Sequence, residues 1–297
     1  MKNDAIRNTI PFDKSIVIRY LMLDLKNGNW HGTNSFIKEN MGENLGDDVT
    51  AALNARLSWD KSTTINVGES GTLLRFLTYY NWQTDAGKEF EIHGTLQDRA
   101  ISNDKAKILT NSLTKLLTLD GGTSQWASAA YLFRADSARL PRVSPHKLRV
   151  TKTAVDDYRI ELWKYNRWVA PLDRTILNQA MAAVNYKACK GTRMMYVYVY
   201  HSEEYCLARV FDRITVEDGA ARFPSLANHE SNRLVETDRA KAQFQATGVI
   251  DSNDHRIVQA LVIFAILNNM KYTCTNPNCV TKSWPKFWEF AKLLEAK

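Results

Sequence analysis

The chain has 297 residues, 44% of them hydrophobic and 24% charged, enough to bury one large core or two and too apolar for disorder to be the default. Its formal charge of +7 favours anionic partners, but no long Lys/Arg block and no zinc-finger or RNP-like motif accompanies it, so nucleic acid is not expected among them. No run approaches the ~18 apolar residues of a membrane span, and MKNDAIRNTIPFDK lacks a signal-peptide core, so a cytoplasmic protein with no membrane partner is expected.

Taken in order, the predicted elements share one pattern: a short polar turn leads into an amphipathic helix, often with an arginine soon after its start. The first is DKSIVIRYLMLDL (Asp13 to Leu25), followed by a second helix at DDVTAALNARL (Asp47 to Leu57). In NVGESGTLLRFL (Asn66 to Leu77) an apolar run from Ile65 to Val67 ends in Gly68, and Leu73, Leu74, Phe76 and Leu77 then take up helical spacing around Arg75. Free N–H groups at such a helix start, with a hydroxyl and a guanidinium one turn in, favour a bound anion. The bland alternative is that Ser70 or Thr72 is only an N-cap and Arg75 only a surface charge.

The pattern returns at GTSQWASAAYLF (Gly122 to Phe133), LDRTILNQAMAAV (Leu172 to Val184) and NDHRIVQALVIFAIL (Asn253 to Leu267), a degenerate structural repeat. Strands are expected at Phe90 to His93, Tyr158 to Leu162 and Met195 to Tyr200, and a solvated turn at YKACKGTR (Tyr186 to Arg193). Trp284, Phe287, Trp288 and Phe290 are spaced to pack a last helix onto a core. The organisation is mixed α and β, with several helix N-termini free to converge on one anion site.

Of the four cysteines, Cys274 and Cys279 in CTNPNC have a spacing that zinc accepts, but Cys189 and Cys206 form no second knuckle. Reduced structural thiols are expected, with no metal and no nucleotide or flavin cofactor.

These residues carry a resemblance. PFDKSIVIR is similar to the P-x-SKS-x-x-x-R opening of the enolpyruvyl transferases, and in particular of the EPSP synthases of the shikimate pathway to aromatic amino acids. DDVTAAL resembles their DDV helix, GESGTLLRFL their G-N/E-S/A-G-T-x-x-R segment, DRAI (Asp98 to Ile101) their ERPI, TSQWASA their SSQ helix, and Val143-Ser144 the serine before the next helix. ETDR (Glu236 to Arg239), NDHRIVQAL and KSWPKFWE (Lys282 to Glu289) resemble ETDR, DHRMAMA and K-S/T-Y/F-P-x-F, which makes nine motifs in the family's order.

The resemblance implies an α/β (α+β) fold, a two-domain inside-out α/β barrel built from repeated βαβαββ units in condensed form. Residues 14–166 would form the first domain, and residues 1–13 with 167–297 the second. Phosphoenolpyruvate and a phosphorylated or hydroxylated acceptor would meet in the cleft between them, with no cofactor and the chain a monomer.

Carried over position by position, Lys14, Arg99, Arg239, Arg256 and Lys282 would surround phosphoenolpyruvate, with Gly71 and Thr72 of the NVGESGT turn approaching it through the backbone. Glu236, His255 and Lys282 would be catalytic, and Ser15, Arg19, Thr123, Ser124, Gln125 and Ser144 would hold the acceptor. Three positions depart from the family. Ser225 in FPSLA stands where it has a catalytic aspartate, Val235 in RLVETDR where it has a lysine, and Lys147 where it has a tyrosine.

The chain is also shorter than the family, with shortening spread between motifs, as in NSLTKLLTLDGG and the stretch from Val184 to Pro224; this reads as compaction, since first and last motifs are both present. Two readings follow: an enolpyruvyl transferase-like enzyme with a different acceptor or a rearranged base, or a catalytically impaired relative that binds an anionic ligand or a protein. The first is favoured, because a pure binder has no chemical need for Glu236 and His255.

Overall fold

A computed structural model describes residues 2–40, 45–134, 146–188, 204–223, 226 and 232–296. The chain divides into two compact units, residues 13–171 and residues 1–12 with 172–297. Helix α1 (Lys2–Arg7) belongs to the second unit.

In the unit 13–171 the central element is α2 (Lys14–Asn27). The Asp13 carboxylate caps it by accepting the N–H groups of Ser15 and Ile16, and Gly28, at φ 64°, ends it in the left-handed region. Every residue from Ile16 to Leu25 is buried, so this helix is enclosed on all sides. Helix α3 (His31–Asn40) approaches α2 closely at Gly32, where a Cβ would lie 2.9 Å from Asp24 Oδ2 and overlap the Trp168 ring. The buried Asp24 is held by Thr33, Tyr158 and Trp168, all neutral donors, and burial raises its carboxyl pKa.

Helix α4 (Asp47–Ser58) packs on α2 and leads to β1 (Thr64–Asn66). After the Gly68 turn, α5 (Gly71–Thr84) crosses back to β2 (Glu89–Glu91), which pairs in parallel with β1 in the register Thr64↔Glu89 and Asn66↔Glu91. Short helices α6 (Lys105–Thr110) and α7 (Leu113–Leu116) precede α8 (Gln125–Phe133), which lies against α5, α2 and α9 (Arg149–Tyr165).

The second unit begins with α10 (Arg174–Ala188) and continues through α11 (Tyr205–Val210), α12 (Val216–Arg222) and α13 (Arg233–Thr247). Strand β3 (Val249–Ile250) then feeds α14 (His255–Leu267), which returns to β4 (Thr273–Cys274), parallel to β3. Eleven of the 13 residues of α14 are buried. Each fully buried aliphatic side chain stabilises by roughly 1.5–3 kcal/mol, which makes this helix the axis of its unit. The aromatic residues at the start of α15 (Phe287–Glu295) cover it, and Trp284 donates its indole N–H to the carbonyl of Thr9 at 2.8 Å.

Both units therefore contain the same run: a helix, a short strand, a crossover helix that starts with a motif, and a parallel strand. The runs are α4-β1-α5-β2 and α13-β3-α14-β4. The described residues are mostly helical, and their strands form two parallel pairs rather than the six-element units of a barrel.

Two sequence expectations need correction. Tyr158 to Leu162 is not a strand but the later half of α9, where Thr151, Ala154, Val155 and Tyr158 form one buried helical stripe. Tyr186 belongs to the end of α10, its ring 5.2 Å from that of Phe211, rather than to a solvated turn. Met195 to Tyr200, Cys189, Ser144 and Ser225 lie outside the described residues. Among the described residues, no helix is long and apolar enough to cross a membrane.

Candidate functional site

In the unit 13–171, side chains from the first turns of α2, α4, α5 and α8 interlock, so these helices begin at one end of the unit. Lys14 Nζ donates to Asp48 in the first turn of α4 at 2.8 Å. Arg19 is 6% exposed; its guanidinium donates to the Ser15 carbonyl (2.7 Å), Thr151 Oγ1 (2.8 Å) and Ser128 Oγ (3.4 Å), and lies 5.2 Å over the Phe76 ring. These hydrogen-bond acceptors are all neutral. Burial lowers the Arg19 pKa to about 10, with Asp13 opposing the shift. A desolvated cation held by neutral oxygens beside a helix start suits an anion.

Arg75 is not a free surface charge. It is 6% exposed, and its Nε donates to Asp120 at 2.6 Å while Nη1 donates to Gln125 Oε1 at 2.6 Å and to the Gly71 carbonyl at 3.0 Å. Gln125 in turn donates to Thr72 Oγ1 at 2.8 Å. Ser70 caps α5, its Oγ accepting from the Leu73 N–H, which leaves the N–H groups of Gly71 and Thr72 in the first turn without an intrahelical acceptor.

The absence of a side chain at Gly71 admits two guanidinium groups, since a Cβ there would lie 3.0 Å from Arg75 Nη1 and 3.5 Å from Arg99 Nη1. Arg99 also donates to Thr95 Oγ1 at 3.1 Å. Thr123 and Ser124 precede α8, and Lys147 donates to the Gly122 carbonyl at 2.9 Å. Arg99, Gly71, Thr72, Arg75 and Gln125 thus form one connected group, and Lys14, Ser15 and Arg19 another that touches it through α8.

Asp120 is the residue that sequence reasoning missed here. At φ 48° in the turn before α8, it accepts from Arg75, from the Ser102 N–H and hydroxyl, and from the Trp126 indole. Burial alone would raise its carboxyl pKa, but Ser102 and Arg75 outweigh that and hold it below the usual value.

In the second unit the starts of α11, α13 and α14 meet. Arg233 Nε pairs with Asp254 at 2.7 Å, and Asp254 also caps α14 by accepting the Arg256 N–H at 2.9 Å. His255 is 3% exposed. Arg256 Nη1 lies 3.1 Å from an oxygen of Glu204 at the start of α11. Lys282 ends a 3₁₀ turn, and the adjacent Ser283 accepts from Gln259, one turn past His255.

Glu236 and Arg239 pair with each other at 2.7 Å on an accessible face of α13, and Val235 is 57% exposed. Glu204 carries no motif; it follows a stretch outside the described residues and far precedes ETDR and DHR, so only folding reveals it. Among the described residues, no group of three His, Cys, Asp or Glu side chains could hold a metal.

Asp254 resembles Asp120 electrostatically: burial opposes ionisation, while Arg233 and His255 favour it and hold the carboxyl below its ordinary value. Depressed folded-state values mean that both groups stabilise the protein above pH 3.8 and lose that contribution as pH falls through and below it. Acid titration followed by circular dichroism should therefore show both units loosening below about pH 4, and Asp254→Asn should flatten the response of the second unit.

A family model of EPSP synthase (3-phosphoshikimate 1-carboxyvinyltransferase) matches residues 222–290, which run from the end of α12 into α15 and include Glu236, Arg239, His255, Arg256 and Lys282. No curated protein and no solved structure matches the chain. The matched segment contains the α13-β3-α14-β4 run and both motif-bearing helix starts, and over these residues the chain is similar to the EPSP synthase family of enolpyruvyl transferases.

Proposed function

We propose that the protein is an enolpyruvyl transferase-like enzyme that binds phosphoenolpyruvate or a related enol ether. Lys14, Arg99, Arg239, Arg256 and Lys282 neutralise the phosphate and carboxylate, and Ser15, Arg19, Thr123, Ser124, Gln125 and Ser144 hold a hydroxylated, phosphorylated acceptor such as shikimate 3-phosphate or an analogue. The acceptor hydroxyl gives up its proton to a base as its oxygen bonds to C2 of phosphoenolpyruvate, and C3 takes a proton. Loss of that proton and of inorganic phosphate restores the enol ether on the acceptor. Glu236, His255 and Lys282 are the groups proposed to move or position protons.

The observation that carries this reading is the adjacency of ETDR and DHR: within the family-matched segment they open two neighbouring helices, tied by Arg233 to Asp254. Arg19, buried among neutral oxygens, supports an anionic acceptor. The second reading, a catalytically impaired binding module, is favoured by Val235 and by the Glu236–Arg239 pairing, which occupies the proposed acid/base carboxylate.

Calorimetric titration with phosphoenolpyruvate, alone and with shikimate 3-phosphate, together with an assay for released phosphate, separates the two. Binding with phosphate release is the expected result. Binding without release under both conditions favours the binding module or another acceptor, and no binding refutes the functional reading.

A further inference from the structure

The carboxylate of Glu204 is 6% exposed residue-wide, and its oxygen lies 3.1 Å from Arg256 Nη1. That nitrogen is buried, yet none of its N–H groups is directed at an acceptor, so the pair is a charge contact with hydrogen-bonding capacity to spare. Arg233 is committed elsewhere, to Asp254, which also accepts the Arg256 N–H. Among the described residues, the charged and titratable groups facing Glu204 are Arg256 and Asp254 at the start of α14, Arg233 of α13, Asp173 ahead of α10 and the Cys206 thiol on the helix that Glu204 precedes.

We propose that Glu204 is the resident counter-ion of an anion site at Arg256, and that a phosphate- or carboxylate-bearing ligand that takes Arg256 Nη1 obliges Glu204 to bind a proton. This deepens the phosphoenolpyruvate reading and rests on it. Two anionic groups on one buried guanidinium repel each other at low local dielectric, and neutralising one of them relieves the repulsion. Of the nearby carboxylates, Asp254 is held ionised by Arg233, and Asp173 accepts the Ile176 N–H as the start of α10. Glu204 is the group whose protonation is already favoured, since burial raises its pKa and Arg256 and Arg233 only partly oppose the rise. One proton is drawn from the buffer for each ligand bound, and none is consumed in a reaction.

The test is calorimetry of the full chain with phosphoenolpyruvate and with inorganic phosphate, in two buffers of different ionisation heat and across pH 5 to about 8, for the wild type, Glu204→Gln and Glu204→Asp. The wild type should take up more protons per ligand than Glu204→Gln, with its affinity weakening by up to about tenfold per pH unit as pH rises. Glu204→Gln should show only the ligand's own phosphate ionisation and bind more tightly than the wild type at the high end of the range.

Equal proton uptake and equal pH dependence in binding-competent wild type and Glu204→Gln overturn the role of Glu204 and leave the phosphoenolpyruvate reading standing. A wild type that binds neither anion refutes that reading and this proposal together. If Glu204→Gln fails to fold by circular dichroism, Glu204→Asp decides: linkage with a displaced pH midpoint supports the proposal, and an unmoved midpoint overturns it.

Discussion

Asp120→Ala should destabilise the unit 13–171 by about 3–5 kcal/mol, read as a shift in its urea or thermal transition. The expected size comes from what the substitution leaves behind. Arg75 would remain buried without its carboxylate, and the Ser102 N–H and the Trp126 indole would lose their acceptor. An uncompensated buried cation is the costliest of these changes, and each orphaned donor adds about 1–3 kcal/mol, partly offset by water entering the cavity.

Alanine must also adopt φ 48°, where aspartate and asparagine are better tolerated, so Asp120→Asn should lose clearly less. Arg75→Met with Asp120→Leu removes both charges and should recover part of the loss, because an apolar pair strands no ion. A shift below 1 kcal/mol for Asp120→Ala would mean that this network does not hold the starts of α5 and α8 together.

Arg99→Ala should weaken phosphoenolpyruvate binding by about 10²-fold or more while leaving the thermal transition nearly unchanged. Arg99 stands beside the Gly71 backbone, where a ligand would meet the free N–H groups of α5, and it bonds to the exposed Thr95 hydroxyl. Truncating a half-buried side chain at the surface costs the fold little beside a charge-assisted contact to phosphate, which is worth several kcal/mol of binding. Arg99→Lys should recover only part of the affinity, since an ammonium cannot make two parallel bonds to one phosphate. Wild-type affinity in Arg99→Ala would remove this residue from the proposed set, and an altered melting temperature would show that its role is structural.

What the sequence made legible follows the range of the interactions involved. Helix starts are encoded locally, by Asp13, Ser70 and Asp254 at the caps and apolar spacing after them, and α2, α5 and α14 begin within a residue or two of where these signals place them. Tyr158 to Leu162 misled because YRIEL alternates over five residues, a window too short to reveal the longer helical stripe that starts at Thr151.

Arg75 was legible as a helix residue that positions its turn, but its partner was not, since Asp120 is 45 positions away in a turn with no hydrophobic period. Glu204 and Asp120 share that property: both owe their importance to partners that only the fold brings near. Motif residues such as Arg75 and Arg256 were found from their neighbours in sequence, while their counter-ions Asp120 and Glu204 had no such neighbours to announce them.

The tie between Trp284 and the Thr9 carbonyl, with the Pro11 carbonyl accepting the Asp173 N–H, sets an order of events during synthesis. Residues 13–171 form a contiguous unit that can close as soon as it clears the ribosome. Residues 1–12 emerge earlier still, yet the indole that fastens them is made some 270 residues later, so they must wait, exposing Ile6 and Ile10, while the intervening unit folds. That waiting segment is where a chaperone has most to do.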